Sequence, residues 1–152
     1  MNTDLQETIT KETELPPVVN NIFAPSAEDP GRFELLGGRC DACDEYSFPK
    51  SEYCHHCHAG TRMISLGADG VIYSFTVVRT KPPLGLPQPY AVAYIDLKDV
   101  PLRVFCLLDP EQTGDAVIGA SVRLSVGPLG VNNAGQDCLR PFFQLLAKNR
   151  DT

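Results

Sequence analysis

Cys40, Cys43, Cys54 and Cys57 are the residues whose type and spacing point most directly to chemistry in this 152-residue chain. They form two Cys-x-x-Cys knuckles, Cys40-Asp-Ala-Cys43 and Cys54-His-His-Cys57, separated by ten residues. Each knuckle presents two sulfurs on one tight turn. Two knuckles bring four thiolates to the corners of a tetrahedron, the geometry Zn²⁺ takes with Zn–S of ~2.3 Å. Asp44 to Tyr53 is long enough to leave one knuckle and return to the other as a short hairpin, with Pro49 near the bend. Iron suits the same four thiolates. A closed four-sulfur shell leaves no position for water or substrate, so the expected role is structural. Two disulfides would need an oxidising compartment, and the N-terminus has neither the basic start nor the apolar run of a secretory leader. A redox pair needs one knuckle in a βα context, which the pattern lacks.

The other reactive residue types offer less. His55, His56 and His58 all crowd the second knuckle. With four thiolates filling the shell, they read as solvent-facing turn residues, or as a charged rim near a partner. Cys106 lies in an apolar strand run, which suits an inert buried thiol. Cys138 follows a Gly/Asn loop, and no histidine comes after His58. A nucleophilic thiol needs a base and an oxyanion hole. Independent catalysis is therefore not expected. Gly127-Pro-Leu-Gly130 lacks the lysine and the helix start of a phosphate cradle.

Composition narrows the class. Hydrophobic residues make up 43%, enough for a folded core, and no apolar stretch approaches membrane-spanning length. A cytoplasmic location is expected, where thiols and metal thiolates persist. The formal net charge is −6, a poor footprint for phosphate-backbone binding. A ribbon and a barrel with stackable Tyr73, Phe75, Tyr90 and Tyr94 still leave a nucleic-acid module as the runner-up reading. Thirteen prolines and twelve glycines favour short strands over a helical bundle.

The elements that position the knuckles follow from periodicity. Residues 1–25 form an extended arm, because Leu15-Pro16-Pro17 and Ala24-Pro25 interrupt any helix. The arm is either a solvated tail or a segment that lies on a partner, given Val18, Val19, Ile22 and Phe23. Ser26 can cap a short helix through Leu36, ended by Gly37-Gly38. This helix and the ribbon occupy 26–66. Thr61 to Leu66 is the strand leaving the ribbon, and Gly67 to Gly70 is a turn. Val71, Tyr73, Phe75 and Val77 then share one face of a strand. Further strands are expected at Tyr90–Leu97, Leu102–Leu108, Ser121–Val126 and Cys138–Ala147, the last an edge because of Pro141. Asp109 to Gly119 is a loop with room for one helical turn, and Gly127 to Gln136 is a second loop. Five strands over 67–147 predict a Greek-key barrel of the OB type, with an up-and-down sandwich as the alternative. Residues 148–152 form a tail.

Taken together, the motifs Gly37-Gly38-Arg39-Cys40-x-x-Cys43, Phe48-Pro49-Lys50, Cys54-x-x-Cys57 and Gly67-x-x-Gly70-Val71-Ile72-Tyr73-Ser74-Phe75 resemble one family. Pro89-Tyr90-Ala-Val-Ala-Tyr-Ile-Asp-Leu97 and Ile118-Gly-Ala-Ser-Val122 resemble it too. It is the family of small acyl-CoA-associated proteins that join a rubredoxin-like zinc ribbon to an OB-fold. The similar region runs from about Pro30 to Gly127. The resemblance implies a mainly β chain, Zn²⁺ on the four cysteines, and no active site of its own. It implies a thiolase-like partner in a hetero-oligomer, or a MaoC-like hydratase or an aldolase. A coenzyme A thioester would be bound jointly with that partner, with the barrel helping to form the CoA channel. Benzoylsuccinyl-CoA thiolase, from aromatic degradation, is one such system.

Within that picture Arg79 and Lys81 stand where the first barrel strand enters a stiff loop, Pro82 to Pro89. Arg79 shares the parity of Val71 to Val77 and would project at the barrel mouth. Either cation could meet CoA phosphates, or a solvated or partner-paired position. Leu84 and Leu86, bounded by prolines, offer a pre-ordered apolar contact to partner or pantetheine.

Overall fold

The computed structural model describes residues 15–29 and 31–146. The first fourteen residues of the arm and the 148–152 tail lie outside the described residues. Nine strands and one 3-10 turn, Pro110–Asp115, make up the regular structure among them.

Strands β1 (Phe23–Pro25), β2 (Phe33–Cys40), β3 (Tyr46–Ser47) and β4 (Thr61–Gly67) form the ribbon sheet. β2 is its centre and pairs antiparallel with the other three. The helix expected from Ser26 to Leu36 is therefore absent. Ser26 does accept from a backbone N–H, that of Asp29 at 3.3 Å, but the bond closes a local turn. Short polar side chains satisfy the backbone in turns as readily as at helix ends. Beyond the turn, Phe33 and Leu35 alternate with Glu34 and Leu36, and Leu35 is fully buried. Period two and pairing on both edges outweigh the capping signal. Gly37 and Gly38 sit inside the strand because neighbours approach closely. A Cβ on Gly37 would strike the Ser47 carbonyl and the Leu66 side chain; one on Gly38 would lie 2.8 Å from Ser47 Oγ.

Strands β5 (Asp69–Val78), β6 (Tyr90–Leu97), β7 (Arg103–Leu107), β8 (Ser121–Val131) and β9 (Asp137–Leu145) follow, in sheet order β7-β6-β5-β8-β9. A parallel bridge between Leu108 and Phe143 brings the end of β7 to β9, and the sheet curls into the five-stranded OB barrel. The fold class read from the sequence is thus observed apart from its helix.

Two expectations inside the barrel change. A register shift lies between Ile72 and Ser74 of β5. Before it Gly70 and Ile72 face the core; after it Phe75 and Val77 do. Val71 and Tyr73 consequently face outward, against a single inward parity for β5. An extra residue re-phases a strand in this way. The second change is at Gly127–Val131, read as loop but built as strand. It pairs with β9 through Gly127↔Arg140 and Val131↔Asp137 across a bulge in which Gly130 takes φ +64°. The true turn is five residues, where Asn132 Oδ1 accepts from Ala134 and Gln136 N–H at 2.9 and 3.0 Å.

The described part of the arm packs on its own chain. Val18 N–H donates to Leu139 O and Leu139 N–H donates to Pro16 O, both at 2.8 Å, adding a short parallel segment to β9. It then runs into β1 on the ribbon. Leu35 and Leu66 of the ribbon share one apolar cluster with Ile72, Ile95, Val122 and Phe143 of the barrel. A boundary drawn between 66 and 67 therefore crosses a continuous core.

Candidate metal centre

The two knuckles hang from the ends of ribbon strands and are built alike. In the first, Asp44 N–H donates to Cys40 O at 3.1 Å and Ala42 N–H points at Cys40 Sγ at 3.4 Å. In the second, His58 N–H donates to Cys54 O at 2.8 Å and His56 N–H points at Cys54 Sγ at 3.4 Å. Each closes on a left-handed residue, Asp44 at φ +63° and His58 at φ +66°. Asp and His are among the non-glycine types that tolerate this region. That repeat explains why His58 is where it is without making it a ligand. His55, His56 and His58 are all exposed, as expected.

The four Sγ atoms lie within 4.8 Å of one another. Cys40 Sγ is 3.3 Å from Cys57 Sγ, and Cys43 Sγ is 3.6 Å from Cys54 Sγ. A tetrahedron with Zn–S of ~2.3 Å has edges of about 3.8 Å, so the donor set fits a tetrahedral Zn²⁺. As thiols the four interact strongly. The backbone N–H of Cys43 draws Cys40 down to about 7. The Glu45 N–H favours the Cys43 thiolate, but burial and the three neighbouring sulfurs outweigh it and push Cys43 up to about 12. Four negative sulfurs need a cation between them. Around the clamp, arginines from β2 and β4 neutralise the knuckle acids: Arg39 with Asp44 at 3.0 Å and Arg62 with Asp41 at 3.2 Å.

The two remaining thiols are remote from such chemistry. Burial pushes the Cys106 thiol up to about 12. Cys138 is fully buried, with only a weak 3.9 Å contact to Leu129 O.

Arg79, Lys81, Leu84 and Leu86 lie together on the β5–β6 loop. Arg79 and Lys81 are exposed and have no ion-pair partner among the described residues. Leu84 is exposed; Leu86 is half-buried. The loop is held by Gln88 Nε2 donating to Arg79 O at 2.6 Å and by Val131 N–H donating to Leu84 O at 2.7 Å. Beneath it lies a residue that pattern reading missed. Arg140 is 7% exposed and donates to Leu129 O and Val131 O at 2.8 and 3.1 Å. It fastens the bulged end of β8, to which the loop is pinned. Its only sequence signal was a charge inside an otherwise apolar strand.

Fold and clamp define the class first: a four-thiolate zinc ribbon built onto an OB barrel. Within that class the chain belongs to the ChsH2 family. Residues 27–61 match the ChsH2 rubredoxin-like zinc ribbon domain, and residues 64–127 match the ChsH2 C-terminal OB-fold domain. The solved structure of an Ltp2-ChsH2(DUF35) aldolase is similar, with 25% sequence identity and a TM-score of 0.58. That match covers 74% of this chain and 84% of that chain. A protein of unknown function from the DUF35 family of Sulfolobus solfataricus is 20% identical with a TM-score of 0.48, over 74% of this chain and 76% of that one. Among the described residues no helix is long and apolar enough to cross a membrane.

Proposed function

We propose that this chain is a zinc-holding accessory subunit of a heteromeric enzyme acting on acyl-CoA thioesters, with the reacting groups supplied by its partner. The observation that carries the reading is the clamp: four converging sulfurs on two matched knuckles, attached through a shared core to an OB barrel. Cys40, Cys43, Cys54 and Cys57 hold Zn²⁺, whose binding energy is spent on folding the ribbon. Of the remaining thiols Cys138 is buried and Cys106 half-buried, and the histidines are exposed on the ribbon, an arrangement that suits a chain without its own nucleophile–base pair. The partner is a thiolase-like subunit. A second reading, an aldolase subunit as partner, is favoured by the similarity to the Ltp2-ChsH2(DUF35) aldolase. The assembly works in the cytoplasm, where metal thiolates and unpaired thiols stay reduced.

Arg79 and Lys81 extend toward the CoA phosphates of the assembled enzyme, and Leu84 and Leu86 face the pantetheine arm or the partner. Purification of the tagged chain from its native host, with the companion identified by mass, tests the main claim. A stoichiometric thiolase-like or aldolase subunit with one zinc per chain is expected. A zinc protein that carries only RNA or DNA overturns it. In the complex, Arg79→Ala with Lys81→Ala should weaken CoA binding about tenfold, the effect of losing charge-assisted contacts; unchanged affinity removes these two residues from the site.

A further inference from the structure

The outward face of β5, β6 and β7 carries an apolar surface that neither the clamp nor the CoA loop uses. Register defines it. Val71 lies opposite Asp96, which lies opposite Arg103; Ser74 lies opposite Tyr94, which lies opposite Phe105. The bulge places Tyr73 outward between these two rows. Tyr73, Tyr94 and Phe105 are 51%, 48% and 53% exposed, unusual for three large rings on adjacent strands of one small barrel. The Tyr94 and Phe105 rings meet at 5.0 Å between centroids. Beside them opens a cleft of about 210 Å³, lined by Tyr94, Phe105, Ser74, Thr76 and Val92 and sized for one large side chain.

We infer that this face is the docking surface for the enzyme subunit, an inference that rests on the accessory-subunit reading above. Charge selects a protein over the other occupants. Within these three strands the one cation is Arg103, and it is already committed. It makes a two-point ion pair with Asp96, at 2.6 and 3.2 Å, and its guanidinium lies 3.3 Å over the Tyr73 ring. That leaves Lys98, exposed just past β6 and without an ion pair among the described residues, as the nearest uncommitted cation, a poor footprint for a phosphate backbone or an anionic membrane in a chain of net charge −6. An internally neutral patch of rigid aromatic rings is instead complementary to an uncharged apolar surface on another protein. Rings held on strands lose little freedom on binding, and aromatic residues dominate the energy of such interfaces. The ion pair, half-exposed at its edge, would form part of the polar rim.

The test uses the identified partner subunit, purified, and titrates it with zinc-loaded full-length chain by calorimetry. Tyr94→Glu with Phe105→Glu should weaken binding by about 30-fold or more, a hot-spot loss. Tyr94→Phe should stay within about threefold, since it keeps the ring. Zinc content and melting temperature report folding; if the double charge change unfolds the barrel, Tyr94→Ala and Phe105→Ala singly carry the measurement. Wild-type binding that neither variant weakens overturns the docking face and leaves the accessory-subunit reading standing. Failure of the wild-type chain to bind its co-purified companion overturns both. A wild-type dimer in sedimentation that Phe105→Glu abolishes, or labelled oligothymidine binding that Phe105→Ala abolishes, assigns the face to another occupant and overturns this one.

Discussion

At Cys43 a serine would keep the size of the side chain and remove a thiolate. Three sulfurs and a hydroxyl are a poor shell for a metal that stabilises the ribbon by binding. Cys43→Ser should drop zinc from about one per chain to a small fraction of that, read by atomic absorption, with loss of amide protection over β2 and β4. Full zinc occupancy with a native melting temperature would contradict the role given to the clamp. Gly37 makes a different point at the same scale. Its neighbours leave no room for a methyl group, and overpacking of this kind costs about 1–3 kcal/mol. Gly37→Ala should lower the urea midpoint accordingly.

β5 and β8 are joined by an ion pair as well as by their ladder. Arg123 donates to both oxygens of Asp69, at 2.7 and 3.4 Å. The Arg123 hydrogen bond holds the Asp69 carboxyl below its ordinary value. A depressed carboxyl contributes stability above its unfolded value near 4 and loses it as pH falls through the lower folded value. The urea midpoint of the native chain should therefore exceed that of Asp69→Asn at pH 6, and the gap should narrow as the pH falls below the unfolded value. Acid also releases zinc from both chains, so it is the difference between them that reports Asp69. A gap unchanged by pH would mean that packing, and not the charge, is what Asp69 supplies.

Across the described molecule, ribbon and barrel share one apolar core. Leu35 and Leu66 belong to the same cluster as Ile95 and Phe143, and the arm adds a second tie by running from Leu139 of β9 to β1. Leu35→Ala should cost about 2–5 kcal/mol, the usual range for a buried leucine. It should lower one shared transition seen by ribbon and barrel probes alike. Separate transitions, with only the ribbon destabilised, would mean the shared cluster does not couple them.

Cysteine spacing, proline and glycine density and period-two patterning were sufficient for the clamp, the strand-rich class and the barrel's five strands. These signals are local: a knuckle needs four consecutive residues, and a strand shows its alternation within six. The expected helix failed because a Ser26 cap serves a turn equally well, and only pairing with β1, β3 and β4 decided between them. The outward placement of Tyr73 was hidden because one extra residue inverts the phase of everything before it, and a bulge is set by the partner strand. Arg140 could not be read either, since its partners are carbonyls of another strand. What tertiary structure alone decided is which face each side chain takes and which distant segments meet, because both depend on contacts between residues far apart in the chain.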